Sequence, residues 1–332
     1  MSEIRFLTSS DEHLADLNPG FRKDDYRASI LKKLEWQGDI ARKFGASAVL
    51  RGGDFFHVKA ANKTTYATTS MAAEIHRHYS CPTYAMAGNH DMSNNDPASI
   101  HRQPLGVLLK SGVFRLLRDE SFVDGTMSVR VVGVEYTTDL AAEGLAEIVR
   151  KRPGDTYTVA FVHTLASMAP PERIQSFFNE NIFDYRDLIF EGCPDVYIFG
   201  HYHKDQGIVE HMGVKFVNLG AISRGALTFE NLDRKPKVSL IKADSRGITV
   251  EEHIVPHEDS SKVFDLELKK KIDNERRSLS EFITQLQENR DLVSEASVDL
   301  RKKELDKFPQ DVRDLAIELI EAAEAGVADD DS

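Results

Sequence analysis

Cysteine is scarce in this chain: Cys81 and Cys193 are the only two in 332 residues, far apart and without a CxxC companion. That argues against a disulfide framework and a thiolate zinc site. No apolar run approaches the ~20 residues that span a bilayer. The opening "MSEIRFLTSSDEH" lacks a basic region followed by an apolar one. The expectation is therefore no membrane span, no secretory leader and residence in the cytoplasm. A basic excess is missing too. The net charge is −12, and residues 257–332 carry most of it, with 12 Lys+Arg against 21 Asp+Glu. Bulk electrostatics thus give no pull toward nucleic acid, and any such grip has to be local or supplied by a partner. Internal repeats and low-complexity tracts are also absent.

The chain does show a regular alternation of periods. "IRFLTSS" (4–10) reads as a strand, and residues 24–45 carry apolar positions at helical spacing up to Gly45. "ASAVLRGGD" (46–54) is a strand and residues 63–80 a helix. The strand "TYAMAGNHD", a short helix at "PLGVLLKSG" and the strands "VFRLL" and "SVRVVGVEY" follow. The helix "DLAAEGLAEIVRKR" and the strands "TYTVAFVHT" and "DVYIFGHYH" come next, and three more strands are expected up to about residue 255. This order predicts a layered α/β domain over residues 1–258, with buried, largely parallel strands and a second sheet packed on the first. Residues 259–326 turn charged and helical, as an accessory, capping or partner-docking segment, and 327–332 form an acidic tail.

Several strands end in polar groups. The first delivers Asp11 and His13, the second Asp54 and His57, and the third Asn89, His90 and Asp91. Later strands deliver His163, then His201 and His203. Strand ends of an open α/β sheet converge on one crevice, so these groups are expected to meet. Asp-x-His and His-x-His on extended backbone would place each pair on one face. Mixed imidazole, carboxylate and amide donors suit Mn, Fe or Zn better than all-oxygen Ca or Mg sites. The number of donors calls for two ions, ~3.5–4 Å apart and bridged by one carboxylate.

The ordered set "DEH…GGDFFH…GNHD…H…GHYH" resembles the signature of calcineurin-like metallophosphoesterases, over roughly residues 1–255. Within that superfamily it is most similar to SbcD-type nucleases of double-strand-break repair, on "SDEHL", on His57 three residues after Asp54, and on "GVLLKSGVFRLL". The resemblance implies an α/β/β/α sandwich of two mixed sheets with flanking helices. It implies one ion on Asp11, His13 and His203, a second on Asn89, His163 and His201, and Asp54 bridging both. His90 would serve the scissile phosphate, Asp91 would orient it, and His57 would be a further phosphate-side group. The implied cofactor is a pair of divalent ions, manganese first, with magnesium, iron or zinc as alternatives. The implied partners are DNA and an SbcC-like coiled-coil ATPase, with a homodimer also compatible. A small-molecule phosphodiesterase acting on cyclic nucleotides is the rival within enzymes, and a metal-silent binding scaffold the rival outside them. Phe55 and Phe56 are expected in the core, His76 and His78 on solvated surface, and Arg51 and Arg224 either on phosphates or in ordinary ion pairs.

Overall fold

Side chains of the first strand alternate between two apolar environments, and this alternation places the layers. The computed structural model describes residues 2–57, 64–168, 182–274 and 277. Strands β1 (Glu3–Ser9), β2 (Ala48–Arg51), β3 (Thr83–Ala85) and β4 (Phe114–Leu116) run parallel in that order. Next come β5 (Asp119–Asp124), β6 (Met127–Val134), β7 (Tyr157–Thr164), β8 (Ala166–Ser167), β9 (Phe183–Asp184) and β10 (Val196–His201). The series closes with β11 (Gly207–His211), β12 (Val214–Asn218), β13 (Lys237–Asp244) and β14 (Gly247–Ile254).

One six-stranded sheet has the order β14-β13-β1-β2-β3-β4 and the other β11-β12-β10-β7-β6-β5. Both are mixed. In the first, β13 joins β1 antiparallel, with Phe6 opposite Ile241. In the second, β6, β7, β10 and β12 are parallel, and the hairpin partners β5 and β11 close the two edges antiparallel. The expected sandwich of two mixed sheets is therefore the architecture observed. Strands β5 and β11 escaped the sequence reading because "DESFVD" and "GIVEH" are short edge strands, half-buried or exposed, without a buried face to impose alternation.

Between the sheets, Ile4, Phe6 and Leu50 pack with Val129, Val159, Phe161 and Ile198. The outer face of the first sheet is covered by helices α1 (Tyr26–Lys43), α2 (Tyr66–Arg77) and α3 (Pro104–Lys110), through Ile30, Leu34, Ala72, Leu105 and Leu108. Helix α4 (Ala142–Val149) covers the second sheet through Leu145 and Val149. Asp25 starts α1 by accepting from Ala28 N at 2.9 Å, and Gly45 takes the left-handed conformation just past its end (φ 59°). Among the described residues no helix is long and apolar enough to cross a membrane.

The chain divides into two compact units, Met1–Phe264 and Asp265–Ser332. Residues 266–274 of the second are helical. Of the helical segment expected over 259–326, residues 260–263 are helical too; residues 275–276 and 278–326, and the acidic tail 327–332, lie outside the described residues.

Candidate metal centre

All five parallel strands that carry the polar blocks bring them to their C-terminal ends. The convergence does not come from pleat alternation, as the sequence spacing suggested. β1 ends at Ser9, and Asp11 and His13 follow in left-handed backbone (φ 58° and 48°). Asp54 (φ 53°) and His201 (φ 82°) share that conformation. Non-glycine residues enter it at a cost of ~1–2 kcal/mol each, so each needs holding. Main-chain bonds do so: Asp11 N donates to Gly53 O at 3.1 Å, and His13 N to Asp54 O at 2.9 Å. His90 N donates to Asp54 Oδ1 at 2.7 Å, and His201 N to Asp11 Oδ1 at 3.1 Å. Sharp turns, not extended segments, aim these side chains inward.

Two donor groups result. Asp11, His13, Asp54 and His203 form the first, and Asp54, His163 and His201 the second, with donor atoms within 4.8 Å of one another in each. Asp54 belongs to both. In the first, His13 Nε2 and His203 Nε2 stand 2.9 Å apart, with Asp11 Oδ1 3.5 Å from His203 and Asp54 Oδ2 3.7 Å from His13. Asn89 joins the second group, its Oδ1 3.1 Å from His201 Nδ1. A third cluster gathers His13, His57 and His90. There, the Nδ1 atoms of His13 and His57 are 3.1 Å apart, and the rings of His57 and His90 stack at 4.5 Å.

His163 tests whether cations fit. Its Nδ1 lies 2.8 Å from Gly52 O, so that nitrogen carries the proton. Nε2 then turns a lone pair toward Asp54 Oδ2, 3.3 Å away in a fully buried setting. A lone pair facing a carboxylate needs a positive charge between them, a proton on Nε2 or a metal ion in its place. Burial opposes charge on His163, yet Asp54 and then Asp11 push its pKa up to about 9. The surroundings thus favour a positive charge at this position, and the mixed nitrogen and oxygen donors suit a divalent transition ion. At one hundred times its dissociation constant, such an ion adds about 2.7 kcal/mol of stability. Manganese over EDTA-treated protein should therefore raise the calorimetric midpoint by roughly 5–10 °C. Coincident transitions would count against a cation cage here.

Asp91 takes a different place from the one expected. It is fully buried, and burial followed by the nearby Asp54 pushes its pKa up to about 8. Its oxygens accept from Phe55 N (3.1 Å), Phe56 N (2.8 Å) and Gly88 N (3.1 Å). Asp91 therefore holds the main chain that carries Asp54 and Asn89, and its expected role of orienting the His90 imidazole gives way to that of a scaffold. Close approach explains two glycines beside it. A Cβ on Gly88 would collide with Asp54 Oδ1, and one on Gly53 (φ 98°) with His163 Nδ1.

Arg51 is structural, fully buried in an ion pair with Glu12 at 2.7 Å. The same guanidinium donates to Ser9 Oγ (2.6 Å), Gln37 Oε1, His76 Nε2 (2.9 Å) and Tyr79 (3.1 Å). His76 is thus buried, not solvated, because its ring takes an Arg51 proton on one side and meets Ala72 O at 2.7 Å on the other. Arg224 is also structural, bonding Asn231 O, Glu258 O and Ser260 Oγ. Phe55 and Phe56 are fully buried, as expected.

This fold and this donor set define a metal-dependent phosphoesterase. Residues 4–205 match the family described as calcineurin-like phosphoesterase, and the chain belongs to that family. Among solved structures it is similar to TT1561 of Thermus thermophilus, at 16% identity over 77% of this chain and 100% of that one, with a TM-score of 0.42. It is similar to a dimetal phosphatase from Danio rerio, at 12% identity over 77% and 99%, TM-score 0.49. It is also similar to the purple acid phosphatase PPD1 from yellow lupin seeds, at 14% identity over 80% and 53%, TM-score 0.45. No curated protein matches the chain.

Proposed function

We propose that the chain is a two-metal DNA phosphodiesterase, an exo- or endonuclease of the SbcD type. The observation that carries this reading is the placement of His57. It stands against His13 and stacks on His90, which supplies a second imidazole on the substrate side of the donor groups. The blocks that support the resemblance to SbcD-type nucleases include this residue.

In this reading Asp11, His13 and His203 hold one cation, Asn89, His163 and His201 the other, and Asp54 both. Manganese is the proposed metal. When bound, a divalent pair neutralises the charge of the phosphodiester and acidifies the attacking water. The chain's own task is then the leaving alkoxide, whose high pKa demands a proton. His90, half-buried and stacked on His57, is the donor we assign, with His57 holding the phosphate side. Positioned proton transfer of this kind contributes ~10²–10⁴-fold. His90→Ala should therefore retain both ions by calorimetric titration while losing about 10²–10³-fold in kcat. Loss of an ion in that variant would make His90 a ligand instead.

An SbcC-like ATPase is the proposed partner, since the net charge of −12 leaves a polyanion grip to be borrowed. Cytoplasmic residence and a homodimer belong to the same proposal. The test is Mn²⁺-dependent digestion of linear duplex, hairpin and single-stranded DNA beside a cyclic nucleotide, with His90→Ala as control. Cleavage of the cyclic nucleotide alone would replace the nuclease reading by the small-molecule one. A cavity of about 620 Å³ beside His13, His57 and His203 is of a size that such a substrate fills. A preparation that binds the ions yet cleaves none of the four would point to the scaffold reading.

A further inference from the structure

Four cationic side chains are buried together beside the metal centre, in a chain that is acidic overall. Arg22, Lys33, Arg224 and Arg234 are 8%, 4%, 3% and 9% exposed. They act on one another: burial, then Arg22, Arg224 and Arg234, push Lys33 down to about 7. Three of the four have hydrogen-bond partners for their charged groups. Arg22 forks onto Asp24 with two bonds of 2.7 Å and reaches Arg224 O at 2.9 Å. Lys33 Nζ donates to Ile222 O at 2.8 Å. Arg224 is bound by two carbonyl oxygens and Ser260 Oγ.

Arg234 differs. Its Nε donates to Asn231 Oδ1 at 2.9 Å, but Nη1 and Nη2 are buried and meet no hydrogen-bond partner among the described residues. A guanidinium so placed carries a desolvation penalty that an added acceptor relieves, an anion best of all. Burial and then Arg224 push its pKa down to about 10, while Asp205 and Asp11 pull the other way, which places it within electrostatic reach of the metal centre. Arg234 lines the same cavity of about 620 Å³ as His13, His57 and His203. Leu17, Phe21 and Leu227 supply apolar wall beside them, with Leu17 61% exposed.

Building on the phosphodiesterase reading above, we propose that this cavity is the subsite for the nucleotide next to the scissile bond. On binding, the Arg234 fork, closed to solvent in the free chain, turns to that nucleotide's own phosphate, and the wall of Leu17, Phe21 and Leu227 takes its base. A planar fork with two free Nη groups matches a phosphate bidentately, as an ammonium does not. Bases lie against apolar and aromatic side chains without regard to sequence. The subsite thus selects a polynucleotide over a single phosphodiester by reading a second phosphate.

The experiment uses the full chain with Mn²⁺ and two pairs of chromogenic esters. One pair is thymidine 5′-(p-nitrophenyl phosphate) with and without a 3′-phosphate. The other is thymidine 3′-(p-nitrophenyl phosphate) with and without a 5′-phosphate. In one of the pairs the second phosphate should raise kcat/KM by roughly 10–100-fold, the range of charge-assisted hydrogen bonds. Arg234→Gln should lower that ratio by a similar factor, and Arg234→Lys by less, since it keeps the charge and loses the fork. The readout is a ratio within one preparation, so a general loss of active protein cancels. Equal kcat/KM within both pairs for the wild type overturns the subsite, as does a ratio that survives the substitutions. Should Arg234→Gln fail to fold, the wild-type ratio and Arg234→Lys decide. Hydrolysis of none of the esters, nor of bis(p-nitrophenyl) phosphate, would instead overturn the phosphodiesterase reading itself.

Discussion

Asp54→Ala is expected to abolish turnover, by about 10⁴-fold or more, and to reduce ion binding at both donor groups together. Asp54 is the one residue shared by the two groups, with His13 and His163 within 3.7 Å and 3.3 Å of its Oδ2. Burial raises the cost of its charge, but His163 and then His90 hold its carboxyl below the usual range, so it stands as an anion at neutral pH. Cationic stabilisation of a phosphoryl transition state is worth several kcal/mol, and each ~1.4 kcal/mol is tenfold in rate. Removal of the shared carboxylate takes that from both positions. Its Oδ1 also accepts from His90 N at 2.7 Å, so the turn bearing His90 loses its anchor as well. The checks are hydrolysis of bis(p-nitrophenyl) phosphate with Mn²⁺ and a calorimetric count of bound ions. A variant that keeps two ions and turns over within tenfold of the wild type would remove Asp54 from the centre.

The second large effect is on stability. Glu12 sits between Asp11 and His13 and is paired with Arg51 at 2.7 Å, both side chains being fully buried. Breaking such a pair from one side leaves an uncompensated charge and costs ~3–5 kcal/mol. Arg51→Met should therefore lower the thermal midpoint by roughly 6–20 °C at ~2–4 °C per kcal/mol. Glu12→Gln should cost comparably, because the guanidinium then keeps only neutral partners such as Ser9, His76 and Tyr79. The double variant should recover part of the loss, since a neutral interior often tolerates replacement of both members. Urea titration of the three variants measures this. A loss below about 1 kcal/mol in both single variants would mean that water reaches the pair.

Much of the centre was legible because metal-binding side chains are chemically conspicuous against apolar strands. "VAFVHT" and "YIFGHYH" run from buried aliphatic positions straight into imidazoles, and no core requires that. What stayed hidden depends on partners distant in sequence. Arg51 and His76 meet only because β2 lies under α2, and neither residue's neighbours announce a buried guanidinium. Asp91 reads like a catalytic carboxylate beside His90, yet its three partners are main-chain amides, which have no side-chain signal. The left-handed turns at Asp11, His13, Asp54 and His201 were likewise invisible, because Asp and His tolerate that conformation without glycine. Arg234 stands in "NLDRKPK", an ordinary polar stretch, and only burial distinguishes it.

The donor residues come from both leaves of the sandwich. Asp11, Asp54 and Asn89 follow strands of the first sheet, whereas His163, His201 and His203 belong to or follow strands of the second. Ions held on this set would act as a rivet through the seam, adding to the apolar contacts and to the bonds from His163 to Gly52 O and from His201 N to Asp11 that already join the two leaves along that edge. Mechanical cohesion and hydrolytic chemistry would then draw on the same carboxylates and imidazoles. Selection could not relax one without loosening the other.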